Sequence, residues 1–554
     1  MYIIMKILLP MSGQGSRFVT AGYTDPKPLI EVDGKPMIYH VMDMFPGEAD
    51  IHCICNREHL ETTRMREVLE ARGAKVHAIE SHTLGPVYAC AQIFDSVEDD
   101  EEVIVSYCDY GTVWDYEAFL REVREADADG AIAAYKGFHP HMLGTDNYAF
   151  LRCRRDATGR EWLQEIREKE PFTSDRMSEY ASNGTYYFRR GADLKHVFSE
   201  MLASEGQWMK NGEYYVSLAY NLMVMDGRRV MPFVIEKMLQ WGTPRDLEEY
   251  RMWSRHFKRR AGAADLDVKD RCVSSARLIL PLAGKGSRFT MQGYTDPKPL
   301  LDVHGAPMIV RAVQDLPTCT AKTFLCLEEH LAAYPLQKTL QRAFRDTEIA
   351  SRTPFGDAQV SRVAIDVFSL SETTNGQATT VNIGLDKAGV RDDEAILISA
   401  CDNGVDFDPK AYAALEADPD VDVIVWSYTN NPTGQRFPHM YAWMDVDEAT
   451  KDIRHVNVKK ALAGARHAII GTMFFRRAGI FRKGLQAIYD ADIRTNGEFY
   501  VDDMLNPLIA AGYKVKVFEV DAYICWGTPN DYKTYNYWLE HFQNVWALPE
   551  RVGW

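Results

Sequence analysis

The chain has 554 residues, too many for one ordinary domain and enough for two with cores of their own. Hydrophobic residues make up 46% and charged residues 26%, the balance of a globular protein rather than a disordered or fibrous one. With 63 Lys and Arg against 79 Asp and Glu the formal net charge is −16, which speaks against nucleic acid or an anionic membrane as partner. An anionic small substrate would have to be held by a few local cations.

The opening "MYIIMKILLP" is apolar but lacks a basic leader and a small-residue cleavage site, so "KILLPM" reads as a first core strand running into a Gly-rich loop. No apolar run reaches the length of about 18 residues that a membrane span needs, and the cytoplasm is the expected location. "PMIYHVMDMF" predicts a helix with Pro36 in its first turn. "IHCIC" predicts a strand with Cys53 and Cys55 as buried thiols on one face. "REHLETTRMREVLEARG" follows as a helix, then "KVHAIE" and "EEVIVSY" as strands, the second leading to Asp109. Ten Cys without a CxxC pair speak against a zinc ribbon or a thioredoxin-type site, and the His residues show no metal spacing. This alternation predicts an α/β layered domain with a largely parallel sheet, which binds ligands at the carboxyl ends of its strands. The Gly-rich loop and Asp109 both lie there.

The chain then repeats itself. "SGQGSRFVTAGYTDPKPL" from Ser12 is answered by "AGKGSRFTMQGYTDPKPL" from Ala283, and one offset relates Gly13, Arg17 and Lys27 to Gly284, Arg288 and Lys298. Asp109 in "VSYCDYG" matches Asp402 in "ISACDNG". "NGTYYFRRG" matches "IGTMFFRRAG", "NGEYYV" matches "NGEFYV", and "WGTPRDLEEY" matches "WGTPNDYKTY". Ordered recurrence over half the chain means duplication of a whole domain, not a solenoid with units of about 20–50 residues. The join is placed in the polar stretch 257–276, giving domains at 1–256 and 277–554. "RDTEIASRTPFGDAQVSR" reads as a surface insertion in the second copy.

A strand ending in Gly-x-Gly-Ser-Arg presents bare backbone N–H groups to an anion. The loop lacks the third Gly of a dinucleotide fingerprint and the Gly-Lys-Ser/Thr ending of a P-loop. Arg17 adds a planar fork for phosphate oxygens, and Lys27 a point charge directed by Pro26 and Pro28. Both cations recur in the second copy.

"MSGQGSRFVTAGYTDPKPLIEVDGKPMI" resembles the opening of the sugar-phosphate nucleotidyltransferases (sugar-nucleotide pyrophosphorylases), and the likeness extends through the WGTP segment of each half. It implies two tandem Rossmann-like three-layer α/β domains of the GT-A/nucleotidyltransferase type, with mostly parallel central sheets. It also implies transfer of a nucleotidyl group from a nucleoside triphosphate to a phosphorylated sugar or alditol, with Mg²⁺ or Mn²⁺ as cofactor. By resemblance, Gly13, Gly15, Ser16 and Arg17 hold the triphosphate, Lys27 a phosphate at the reacting centre, and Asp109 the metal. Gly284, Gly286, Ser287, Arg288, Lys298 and Asp402 take the same roles in the second copy.

"HTLGPVYACA" and "TTNGQATTV" resemble the base-recognition turn, giving Thr83, Gly85, Thr374 and Gly376. "REKEPF" resembles the acceptor contact, giving Glu168 and Lys169. The second copy has "NVKKAL", which keeps Lys459 or Lys460 but no Glu. Gly184 and Gly471 correspond to the Gly beside the acceptor sugar. The usual second metal carboxylate is replaced by Gln240 and Cys525. Glu213 and Glu498, or Asp502 and Asp503, can substitute for it, or are ordinary helix-start carboxylates. Two alternatives stand beside this reading: a GT-A glycosyltransferase using a finished nucleotide-sugar, and a protein with one catalytic and one non-catalytic nucleotide-binding half. The base, the acceptor and the oligomeric state have no sequence signature.

Overall fold

The computed structural model describes residues 5–145, 147–262, 272–345, 348–352, 358–429, 431, 434 and 436–548. By contact the chain divides into two units, Met1–Arg251 and Met252–Trp554. In the first, strand Lys6–Met11 lies between Asp50–Asn56 and Val103–Ser106, parallel to both, and Lys75–Ile79 continues the parallel run. Tyr180–Phe188 then pairs antiparallel with Val103–Ser106 and carries two branches. One is Gly130–Tyr135 with Val230–Val234; the other is Ala149–Arg155 with Glu161–Glu168.

The second unit repeats this nine-strand plan. Val273–Leu282 lies between Thr318–Leu327 and Ile396–Ile398, with Ala364–Leu370 beyond, all parallel. His467–Phe475 reverses direction and carries the two branches, Val423–Tyr428 with Val515–Glu519 and Trp443–Val446 with Ile453–Asn457. Both are mixed sheets with a parallel centre, the Rossmann-like α/β architecture expected.

Alternation along the central strand sets up the layers. Ile7 and Leu9 pack into one core and Leu8 into another, while Ile279 and Leu280 divide in the same way. A strand buried on both faces has to be apolar throughout, which is why "KILLPM" carries no polar residue after Lys6. Lys6 itself is buried but paired, with Nζ 3.2 Å from Asp50 and 3.1 Å from Glu101. Cys53 and Cys55 are buried, as their strand position requires. No described helix is long and apolar enough to cross a membrane.

Two local readings change. The long helix after "IHCIC" is two, Arg57–Thr62 and Met65–Glu70, because Thr63 is extended and its hydroxyl accepts from Met65 N–H at 3.2 Å. Pro36 precedes the helix Met37–Met42 and pairs with Glu31 in a two-residue ladder. The segment 257–276 is helical as far as Gly262 and extended from Val273, its residues 263–271 lying outside the described ones. The apolar side chains Trp253 and Phe257 are buried and carry that helix onward. In the expected insertion, Glu348–Arg352 and Ala358–Arg362 form a ladder separate from the nine-strand sheet; 346–347 and 353–357 lie outside the described residues.

Candidate active site

At the carboxyl end of the first central strand the chain turns at Gly15 (φ 63°) into the short helix Ser16–Thr20, and Gly286 (φ 62°) does the same before Ser287–Thr290. Gly13 and Gly284 face open space. Lys27 follows on the turn Lys27–Leu29 and donates to Asp109 Oδ2 at 2.8 Å; Lys298 donates to Asp402 and, at 3.1 Å, to the Gly527 carbonyl. Burial acts to lower the ammonium pKa of Lys27, but Asp109 and Cys108 outweigh it, and the group is held above its ordinary value. Lys298 is raised in the same way by Asp402. Arg17 and Arg288 are exposed. The field of Arg17 reaches Tyr215, and that of Arg288 reaches Lys459. In the first unit these groups line one cleft of about 440 Å³, together with Ser16, Thr83, Glu168, Lys169, Gly184 and Glu213.

The expected base turn docks on the "NGE" segment in both copies. Tyr214 N–H donates to the Leu84 carbonyl at 2.9 Å, and Phe499 N–H donates to that of Asn375 at 2.9 Å. Glycine is required at this crossing. A methyl group on Gly85 (φ 87°) would fall 2.9 Å from Tyr214 N, and one on Gly376 (φ 132°) 2.5 Å from Phe499 N. The Thr374 hydroxyl is engaged inside the turn, donating to the Gly376 carbonyl at 2.8 Å. His82 accepts from Leu84 N–H through Nδ1 at 3.2 Å, so its Nε2 proton faces Ser12 Oγ at 2.9 Å. The second copy has Ala283 and Thr373 at those two positions.

At the expected acceptor end, Glu168 is buried and accepts from the Ser217 hydroxyl at 2.6 Å; burial raises its pKa. Lys169 donates to Tyr215 Oη at 2.6 Å. Lys169 (φ 57°) and Lys459 (φ 55°) share a left-handed backbone, and Lys459 faces the Tyr500 ring as Lys169 faces that of Tyr215. This identifies Lys459, rather than Lys460, as the counterpart of Lys169. Tyr215 and Tyr500 were not singled out from the sequence, although "NGEYY" and "NGEFY" repeat them.

Beside each strand-end Asp the WGT segment leaves a gap at glycine. A methyl group on Gly242 would lie 2.9 Å from Asp109 Oδ2 and 3.4 Å from Gln240 Oε1. Gln240 donates its amide to Tyr148 at 3.3 Å, leaving that oxygen turned toward the gap. The corresponding gap at Gly527 has Asp402 Oδ2 at 3.3 Å and Cys525 Sγ at 3.3 Å. Glu213 lines the first cleft; Thr495 and Glu498 pair through their backbones. Among the described residues no group of three or more His, Cys, Asp and Glu is arranged to hold a metal.

Residues 8–171 match the family model described as the MobA-like NTP transferase domain. Among solved structures, the chain is similar to a nucleoside-diphosphate-sugar pyrophosphorylase from Vibrio cholerae RC9, at 21% identity over 44% of this chain and 98% of that one, with a TM-score of 0.37. It is similar to a UDP-glucose pyrophosphorylase complexed with UDP-glucose at 18% identity, over 46% and 99% of the two chains, with a TM-score of 0.38. A putative glucose-1-phosphate thymidylyltransferase from Bacillus anthracis matches at 20% identity over 44% and 93%, with a TM-score of 0.35.

The glycines separate into two kinds that mutation distinguishes. Gly13→Ala with Gly284→Ala is expected to leave the thermal midpoint within about 2 °C, as for a substitution into open space. On the expectation that phosphate approaches this loop, it should still weaken nucleoside triphosphate binding, measured by calorimetry. Gly85→Ala with Gly376→Ala is expected to lower the midpoint by several degrees, since each methyl meets backbone and each φ is left-handed.

Proposed function

We propose that this chain, whose residues 8–171 carry an NTP transferase domain, is a tandem nucleotidyltransferase. Each reaction moves a nucleotidyl group from a nucleoside triphosphate to a phosphorylated sugar or alditol and releases pyrophosphate. The observation that carries this reading is the Lys–Asp pair beside a Gly-rich strand-end loop, built twice on one topology. A cytoplasmic role in making nucleotide-activated precursors for surface polysaccharide fits the reaction.

The residues present suit this chemistry. The attacking group is a phosphate oxygen of the acceptor; with a second pKa of about 6 it is already ionised near neutral pH, so no general base is needed. It bonds to the α-phosphorus as the bond to pyrophosphate breaks. Lys27 and Lys298 stay protonated beside their carboxylates and are held in one direction to neutralise phosphate charge. Arg17 and Arg288 add forked donors at the mouth of the loop, and Gly13 and Gly284 let the triphosphate approach the backbone. Alignment and charge neutralisation are what phosphoryl-group chemistry requires.

The gap at Gly242 fits a hard divalent cation. A carboxylate and an amide oxygen converge on it, and Mg²⁺ takes few protein ligands alongside water and phosphate oxygens. Asp109 and Gln240 would hold the ion in the first copy, and Asp402 in the second, where Cys525 offers sulfur instead of oxygen. Such an ion, Mg²⁺ or Mn²⁺, supplies charge neutralisation on the triphosphate.

Asp109→Ala combined with Asp402→Ala is expected to abolish pyrophosphate release in a chain that still folds, with a lower thermal midpoint, and excess chelator should abolish release by the unmodified chain. Activity surviving both treatments would remove the metal from the scheme. A preparation that transfers sugar from a nucleotide-sugar and never forms pyrophosphate would instead be a glycosyltransferase.

Replacing Arg17 and Arg288 by Lys keeps the charge but loses the fork, and should lower kcat/KM on the order of 10²-fold. An unchanged rate would return both to ordinary surface cations.

Lys27→Ala and Lys298→Ala, made separately, are expected to give losses that depend on the substrate pair offered, because the two copies differ at the base turn and the acceptor end. Equal halving of activity toward every substrate would mean redundant sites.

A further inference from the structure

The acceptor ends of the two copies differ by two coupled exchanges. In the first copy a methyl group on Gly184 would lie 3.0 Å from the Tyr110 ring and 3.1 Å from the Tyr107 ring, so aromatic side chains close that corner of the cleft. The second copy has Asn403 and Ala400 at these positions, and nothing lies within 4 Å of the same point on Gly471. The polar framework behind the corner has adjusted. Tyr110 Oη bonds Ser106 at 2.8 Å and also reaches Thr185, whereas Ser399 and Thr472 bond each other directly at 2.9 Å.

The second exchange moves a carboxylate. Lys169 corresponds to Lys459, so Val458 stands where Glu168 does. In the first copy Glu168 is bonded to Ser217, two residues after Tyr215. Two residues after Tyr500 the second copy carries Asp502. The strand has lost its acid and the facing helix start has gained one. Asp502 shares its surroundings with the site's cations, for its field and that of Arg288 both act on the Lys459 ammonium. It lies one residue past the N-cap position Val501, and the neighbouring Asp503 is the one that accepts from Thr495, at 3.0 Å.

We infer that the second site takes a bulkier acceptor phosphate than the first, with Asp502, from the helix start, contacting the acceptor in place of the strand residue Glu168. This rests on the nucleotidyltransferase reading and adds the acceptor class to it. The space left by the two missing rings suits a substituent such as an acylated or free amino group on a sugar or alditol phosphate. A carboxylate there can accept from its N–H or O–H groups.

The test uses the full chain with the first site silenced by Lys27→Ala, and reads pyrophosphate release from each common nucleoside triphosphate. The acceptors are hexose, pentose and alditol phosphates with and without amino or N-acetyl substituents. The silenced chain should favour the substituted acceptors, while the Lys298→Ala chain favours the unsubstituted ones. Ala400→Tyr in the silenced chain should exclude the substituted acceptors selectively. Asp502→Asn should raise KM for the acceptor about tenfold or more and leave KM for the triphosphate unchanged, a split that a purely structural role would not produce. The double variant Val458→Glu with Asp502→Ser recreates the pairing already present in the first copy, and guards against a single variant that fails to fold. It should regain turnover, with its preference shifted toward that of the first site. Pyrophosphate release by the unmodified chain but none by the silenced chain overturns the inference and leaves the functional reading standing. So does an Asp502→Asn chain with an unaltered acceptor KM, or a silenced chain that prefers the smaller acceptors. No pyrophosphate from the unmodified chain with any pair overturns both.

Discussion

Lys27 and Asp109 meet at 2.8 Å with side chains only 24% and 23% exposed, and each copy is organised around that contact or its counterpart at Lys298 and Asp402. Taking an ammonium and a carboxylate this far out of water is unfavourable for either alone, and their attraction offsets it only while they face each other. Removing one partner of a fully buried pair costs about 3–5 kcal/mol; the partial exposure here makes the penalty smaller but leaves its sign. The contact therefore fixes the PKPL turn against the end of a strand far away in sequence. Trp241 N–H donates to the Asp109 carbonyl at 3.2 Å, and Trp526 N–H to that of Asp402 at 2.8 Å, which brings in a third segment. Gly242 and Gly527 follow from the same constraint, since a side chain at either would press on the carboxylate. The PKPL turn, the strand end and the WGT segment are thus tied together at one ion pair.

Much of this was legible because the chain is written twice. Residues that recur in order, Gly13, Arg17, Lys27 and Asp109 with their counterparts, come together in space, and the twofold occurrence separates them from surface charges that drift. The apolar strands were legible for a simpler reason: burial on both faces leaves no room for polar residues, so "KILLPM" and "IHCIC" announce themselves. The break at Thr63 was hidden, because a hydroxyl that ends one helix and caps the next looks, in sequence, like any polar residue on a helix surface.

The expected acceptor end was only half legible. "REKEP" against "NVKKA" displays the lost Glu, but the gained Asp502 lies more than forty residues away on another element. The shared backbone at Lys169 and Lys459, with the Tyr facing each, fixes the register that matches Val458 to Glu168 and Asp502 to Ser217. Likewise, nothing in "CDYG" against "CDNG" says that the Tyr ring closes a corner beside Gly184. The sequence separation between contacting residues sets the limit on what can be read from local pattern.

The two exchanges at that end obey a rule of satisfaction. Had Glu168 persisted opposite Asp502, two poorly solvated carboxylates would repel each other; had neither been present, Lys459 would lack a facing counter-charge at that position. Burial acts to lower the Lys459 ammonium pKa, and Asp502 is the largest influence holding it up. Tyr110 shows the same rule in neutral groups. Its hydroxyl joins Ser106 and Thr185, and where the ring is gone Ser399 and Thr472 close on each other, leaving no orphaned hydroxyl. Divergence of the copies has therefore proceeded in pairs: the polar bookkeeping behind the cleft is conserved, and the shape in front of it is what changed.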